Sequence, residues 1–153
     1  MLPCYTITGN SVRCDFSKDG YWLPTEAEWE YPAKGGRSSG GYKYAGGNDM
    51  EAVGRHGGNA GSVTHPMGGK QANEQGLYDM SGNGFEWCWD WHEAYGSTAQ
   101  NDPKGPTSGS YHVLRGGSWA ASGYCMRCGY RSHDGADAVG DGSFGFRVAR
   151  RGG

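Results

Sequence analysis

Glycine fills 30 of the 153 positions, while only 35% of the residues are hydrophobic and 13% are aromatic. A chain so poor in aliphatics must build its core on large rings, with glycine setting turns and close approaches. This predicts a loop-rich domain with little regular structure, and the length fits one domain spanning residues 1–153. A disordered glycine-rich tract is disfavoured. The glycines are interleaved with Trp and Tyr, and no long charge run is present.

The 14 basic residues are scattered against 16 acidic ones, for a net charge of −2. No Lys/Arg cluster marks a nucleic-acid face, so no nucleic-acid partner is expected. No stretch approaches the roughly 18 apolar residues of a membrane span, and no secretory apolar region follows Met1. Five cysteines (Cys4, Cys14, Cys88, Cys125, Cys128) make an odd count, which argues against a complete disulfide framework.

Residues 5–15 alternate around Gly9-Asn10 and predict a hairpin in which Ile7 faces Val12. Cys4 is then diagonal to Cys14, which leaves a bridge open but unspecified. Thr25-x-x-Glu28 is a capping box, so a helix should start at Glu26 and stop before Gly35-Gly36, shortened or bent at Pro32. Trp29 is expected in the core, with Glu26, Glu28 and Glu30 solvated. Residues 35–76 and 99–110 read as loops. Glu86 to Trp91 alternates with period two, which places Trp87, Trp89 and Trp91 on one strand face as core anchors and Glu86, Cys88 and Asp90 on the other. Further strands are expected from Tyr111 to Leu114 and from Phe144 to Ala149. Gly140-x-Gly142-x-x-Gly145 matches a dinucleotide fingerprint by letters alone, because it follows a loop and leads into a strand. His56, His65, His92, His112 and His133 show no metal-ligand spacing.

Four ordered motifs now align: Leu-Pro-Thr-Glu-Ala-Glu-Trp-Glu-Tyr (23–31), Gly-Leu-Tyr-Asp-Met-Ser-Gly-Asn-Gly-Phe-Glu-Trp (76–87), Val-Leu-Arg-Gly-Gly-Ser-Trp (113–119) and Gly-Phe-Arg-Val-Ala (145–149). Together they resemble the formylglycine-generating, sulfatase-modifying family from about residue 20 to 150. The resemblance implies an α+β, C-type-lectin-like fold with short helices and small antiparallel sheets, in which the family's N-terminal portion is absent from this chain. It also implies a structural calcium site at Asp79, Gly82, Gly84 and Glu86, the glycines acting through their carbonyls. The other reading of those carboxylates is that they cap turns or meet arginines. Catalysis transfers poorly. The oxidase members use two cysteines after the Gly-Gly-Ser-aromatic motif to bind copper. The first matching position is near Ala121, and the spacing around Cys125 and Cys128 departs from the family pattern. One soft thiolate cannot replace a pair that holds Cu(I), so no copper is expected.

Residues 120–143 contain no Asn, Lys, Glu, Gln or Trp. Asn codons randomised at their first two positions cannot encode Lys, Glu, Gln or Trp, but they encode everything present except Met126. The segment resembles the variable region of a diversity-generating retroelement protein, a class that uses the same lectin-like fold. The resemblance implies a non-catalytic display protein that binds a protein or cell-surface ligand through residues 120–143. The ligand positions would be Ala120, Ala121, Ser122, Tyr124, Met126, Cys128, Tyr130, Ser132, His133, Asp134, Asp137 and Asp141. The frame would be Arg115 to Trp119, Arg127, Arg131 and Gly145 to Arg147. Tyr offers contact area at low entropic cost, while Ser, Gly and Asp adapt their hydrogen bonds, as in paratopes. Exposure on a virion or cell surface would have to come by other means, since nothing in the chain specifies location. The alternatives are a formylglycine-generating oxidoreductase or a degenerate relative. A calcium-dependent sugar binder rests on fold analogy alone and lacks the tripeptide such lectins use.

Overall fold

The computed structural model describes residues 2–138, 140 and 142–151. Strands β1 (Tyr5–Thr8) and β2 (Ser11–Cys14) form the expected hairpin, in the register that pairs Ile7 with Val12 and Tyr5 with Cys14. Cys4 lies opposite Asp15, whose amide donates to the Cys4 carbonyl at 2.8 Å. Strand alternation therefore sends the Cys4 and Cys14 side chains to opposite faces, and all five cysteines are free.

Helix α1 (Glu26–Ala33) begins at the capping box. The Thr25 hydroxyl accepts from the Glu28 amide at 3.2 Å, and the Glu28 carboxylate accepts from the Thr25 amide at 2.9 Å. Pro32 lies within α1, and the helix ends one residue after it. The long loop expected over 35–76 holds one short helix, α2 (Met50–Val53), and a single 3₁₀ turn at Gly36–Ser38. Strands β3 (Phe85–Trp91), β4 (His112–Arg115), β5 (Ser132–Asp134) and β6 (Phe144–Gly145) make one sheet in the order β5-β4-β3-β6. Its β3–β6 pair is parallel and the other two are antiparallel. The last strand is shorter than expected. After Gly145 the chain leaves the sheet, and Ala149 returns only as an isolated bridge to Trp22.

The main core is Trp29, Ala33, Ala45, Met80, Cys88, Val113 and Cys128. A second cluster joins Tyr44, Val53 and Met126. The alternation of β3 is as expected, but the assignment of its faces is reversed. Cys88 and Asp90 are buried, whereas Trp87, Trp89 and Trp91 are half-buried. Helix α1 lies against the Cys88 face. Trp29 fills that gap, so only small side chains fit opposite it. The three indoles cover the outer face instead. Trp87 meets Phe144 at 5.7 Å, Trp89 meets Tyr5 at 5.7 Å, and Trp91 stacks on His112 at 3.8 Å.

The buried Asp90 supports α1 directly, since its Oδ2 accepts from the Glu26 amide at 2.7 Å. Burial pushes its carboxyl up to about 6, and Glu26 and Glu28 add to the rise. A carboxyl raised in the folded state binds protons that the unfolded chain releases. Its contribution to stability is therefore present below about pH 4 and is lost as pH rises through about 6. Asp90→Asn keeps an acceptor for the Glu26 amide and removes the charge. At pH 7 it should raise stability by about 1–3 kcal/mol, since each tenfold change in proton affinity is worth about 1.4 kcal/mol. Urea unfolding at pH 7 and pH 4 should show that advantage shrinking in acid. Thr25→Ala should lower stability by about 1 kcal/mol through loss of the cap, read from the same curves.

Candidate ligand-display face

Three arginines of the last forty residues or so are anchored on glutamates from earlier in the chain. Arg115, at the end of β4, is fully buried and pairs with Glu30. It also donates to the carbonyls of Tyr130 and Cys128, each at 2.7 Å, and its guanidinium lies over the Trp29 ring. Arg131 grips Glu26 through two bonds, Nε to Oε1 at 2.6 Å and Nη2 to Oε2 at 2.7 Å, and stacks on Tyr95 at 3.9 Å. Arg147 grips Glu86 in the same forked way, Nη2 to Oε1 at 2.7 Å. Glu26 is buried and Glu30 is half-buried between Arg115 and Lys34, so of the three helix glutamates expected in solvent only Glu28 is exposed. The arginines explain why: a carboxylate can leave water when a planar guanidinium replaces its solvation. Glu28 serves the cap and accepts from the Trp22 indole at 3.0 Å.

Between these anchors the chain exposes two clusters. In the first, Ala120 and Ser122 are exposed and Ala121 is half-buried, its carbonyl accepting from the Gly57 amide at 2.9 Å. Tyr124 is 60% exposed and packs edge-on against the half-buried Tyr130 at 5.5 Å, with Arg127 over the Tyr124 ring at 4.7 Å. In the second, His133 projects from β5 and stacks on His92 at 4.1 Å, with Tyr111 5.1 Å away. Burial, then the neighbouring His133 and Arg131, hold the His92 imidazole below its usual range. Asp137 is exposed, while Ser132 and Asp134 are half-buried on β5. Asp141 lies outside the described residues.

Two expected ligand positions are corrected. Met126 is 0% exposed and Cys128 is 2% exposed, so both belong to the cores. The 3₁₀ turn at Gly123–Met126 swings Met126 inward against Tyr44 and Val53, and a Cβ at Gly54 would overlap its methyl group. Cys128 is held by its amide on the Lys43 carbonyl at 2.9 Å. Arg127, expected in the frame, is exposed on the first cluster, and His92 and Tyr111 join the second from outside the segment. The signal for Met126 was present, since it is the one residue of the segment that randomised Asn codons cannot encode.

The calcium candidates Asp79, Gly82, Gly84 and Glu86 do line one cavity of about 500 Å³. As arranged, they do not fit a calcium ion. Both oxygens of Glu86 face the Arg147 guanidinium, and Oε2 also accepts from the Trp29 indole at 2.6 Å. Asp79 accepts from the Gly68 amide at 2.8 Å. The cation beside Glu86 is therefore the chain's own arginine. The cysteine positions are also unlike a reactive pair. Burial pushes the Cys128 thiol up to about 11, Cys125 is half-buried beside Ser122, and Ala121 stands at the first position. Among the described residues no helix is long and apolar enough to cross a membrane.

Known proteins carry the same pattern. The sulfatase-modifying factor enzyme 1-like domain matches residues 6–152. The chain is 36% identical over 157 residues to the chaperone protein LppX of Paenibacillus barcinonensis, covering 92% of this chain and 52% of that one. It is 38% identical over 166 residues to the formylglycine-generating enzyme of Streptomyces coelicolor, covering 96% and 52%. The solved structure of Treponema denticola variable protein 1 superposes with a TM-score of 0.85 at 41% identity, over 92% of this chain and 51% of that one. The chain thus spans about half the length of these relatives. With motifs, fold and matched span in agreement, the chain belongs to the sulfatase-modifying factor enzyme 1-like domain family, in its C-type-lectin-like fold.

Proposed function

We propose that this chain is a non-catalytic display domain, the variable protein of a diversity-generating retroelement. The observation that carries the reading is a division of labour within residues 115–147. Arg115, Arg131 and Arg147 are locked in ion pairs, while Ala120, Ser122, Tyr124 and His133 between them are exposed. Side chains on such a face can be exchanged without touching the frame. The likeness to a variable protein supports the same reading. The partner would be a protein or a cell-surface molecule, met through the Tyr124–Tyr130 and His133 clusters, with display on a virion or cell surface.

The second reading, a formylglycine-generating oxidoreductase or a degenerate relative, is favoured by the 38% identity to the Streptomyces coelicolor enzyme. The buried Cys128 and the alanine at position 121 weigh against it. Sequencing sibling copies and the gene's neighbourhood separates the two. Display requires a near-repeat carrying Asn codons at the exposed positions, together with a reverse transcriptase. Copper-dependent oxidation of a cysteine-containing peptide by this chain would overturn it.

The division of labour has its own test in stability measurements. Ser122→Ala, Tyr124→Ala and His133→Ala should each change unfolding free energy by no more than about 0.5 kcal/mol. Met126→Ala should cost about 2–5 kcal/mol. Arg115→Met, which removes the buried partner of Glu30 and leaves the Tyr130 and Cys128 carbonyls without their donor, should cost about 3–5 kcal/mol. A face substitution as costly as a frame one would mean that the exposed residues are structural.

A further inference from the structure

Arg115, Arg127, Arg131 and Arg147 are the arginines of positions 115–147, and all but Arg127 are fixed on glutamates from earlier in the chain. Arg127 is exposed, and among the described residues no Asp or Glu lies within ion-pair distance of it. Its backbone closes the turn: the amide donates to the Tyr124 carbonyl at 3.4 Å, and the carbonyl accepts from the Tyr130 amide at 2.9 Å. Its guanidinium lies over the Tyr124 ring at 4.7 Å and ties nothing in the frame together. The surroundings explain the missing counter-charge. No Asp or Glu occurs from Pro103 to His133. Helix α2 packs against this cluster, with Val53 on Met126 and Met50 against Gly123, yet its carboxylates are engaged. Asp49 accepts from the Glu51 amide at 3.0 Å, and Glu51 accepts from His56 at 2.9 Å and from Asn59 at 2.8 Å. Lys43, whose carbonyl accepts from the Cys128 amide, is exposed and likewise has no ion pair among the described residues.

The rings around Arg127 are set before any partner arrives. Tyr130 meets the exposed Tyr124 edge-on, and its hydroxyl is hydrogen-bonded with the Cys125 thiol. Gly129 between them is exposed, and a Cβ there would meet nothing within 4 Å, so the approach is open. Rings held in place lose little freedom on contact. We propose that this cluster docks an acidic segment of a protein partner, a carboxylate side chain of the partner pairing with the Arg127 guanidinium while Tyr124 and Tyr130 take up its apolar surface. The inference rests on the display reading of the same face and names the chemistry of the partner. The planar fork of guanidinium N–H groups matches a carboxylate, and on this face no side chain of the chain itself has claimed it. A nucleic acid fits less well. Phosphate backbones are held by rows of cations, whereas this face offers Arg127 and Lys43 on a chain of net charge −2.

The test is a selection of phage-displayed random dodecapeptides on the whole chain at low salt, followed by titration of the recovered peptides in synthetic form. The recovered peptides should be rich in Asp and Glu, and their binding should shift the amide signals of Tyr124, Gly129 and Tyr130. Arg127→Gln should weaken them about tenfold, as loss of a hydrogen bond to a charged group does, with Arg127→Lys in between. Replacing the critical Asp or Glu of a peptide by Asn or Gln should cost as much, and the two changes together should cost no more than either alone. Raising the salt to about 0.5 M should weaken binding several-fold. Because its guanidinium bonds to nothing in the frame, Arg127→Gln should unfold at the same urea concentration as the wild type, so lost binding is not lost folding. Binders without acidic residues, or binders that ignore Arg127→Gln, would overturn the proposal. If these still require Tyr124, the display face stands and its acidic partner falls; if they ignore Tyr124→Ala as well, both fall. An empty selection, or tighter Arg127-dependent binding of an oligothymidylate, would also overturn it.

Discussion

Glu30 on Arg115, Glu26 on Arg131 and Glu86 on Arg147 tie the last third of this chain to the rest of it. The partners are 85, 105 and 61 residues apart. In a chain with few aliphatics, apolar burial alone gives the C-terminal segment little to hold. A forked guanidinium–carboxylate contact supplies direction as well as attraction. Taking such charges out of water is costly, and here each arginine also bonds to backbone carbonyls, which offsets part of that cost.

The core around these pairs is thin. Trp29 occupies the gap between α1 and the sheet, and Cys88, Ala33 and Ala45 close around it. A narrow gap filled by one large ring tolerates few alternatives, so the arginine on its face and the glutamate at its indole nitrogen are positioned by packing. This is why Arg147 can occupy the place of a cation beside Glu86: Trp29 fixes the carboxylate, and the short β6 delivers the guanidinium two residues later.

The same frame creates two different surfaces. On one, Tyr124, His133 and small residues are exposed beside the half-buried Tyr130 and His92. On the other, a cavity draws its charged lining from the same ion pairs, Glu26 with Arg131 and Glu30 with Lys34, beside Tyr31, Trp91 and Tyr95. Arg131 separates them, since its neighbours Tyr130 and Ser132 lead to the exposed clusters while its own guanidinium closes on Glu26 at the cavity.

Local chemistry was legible in the sequence. The capping box fixed the start of α1, Gly9-Asn10 fixed the hairpin register, and four ordered motifs pointed to the family. Met126 was expected on the ligand face although it alone falls outside the codon pattern, and it is buried. What the sequence could not decide was which side of each alternating pattern meets a partner. Period two says that the faces of β3 differ, and only the docking of α1 buries Cys88 and Asp90 rather than the indoles. In the same way, an isolated glutamate on a helix reads as solvated, and only the fold brings Arg131 across 105 residues to bury Glu26. Spacing determines local backbone geometry, whereas burial and charge pairing depend on what the rest of the chain places opposite.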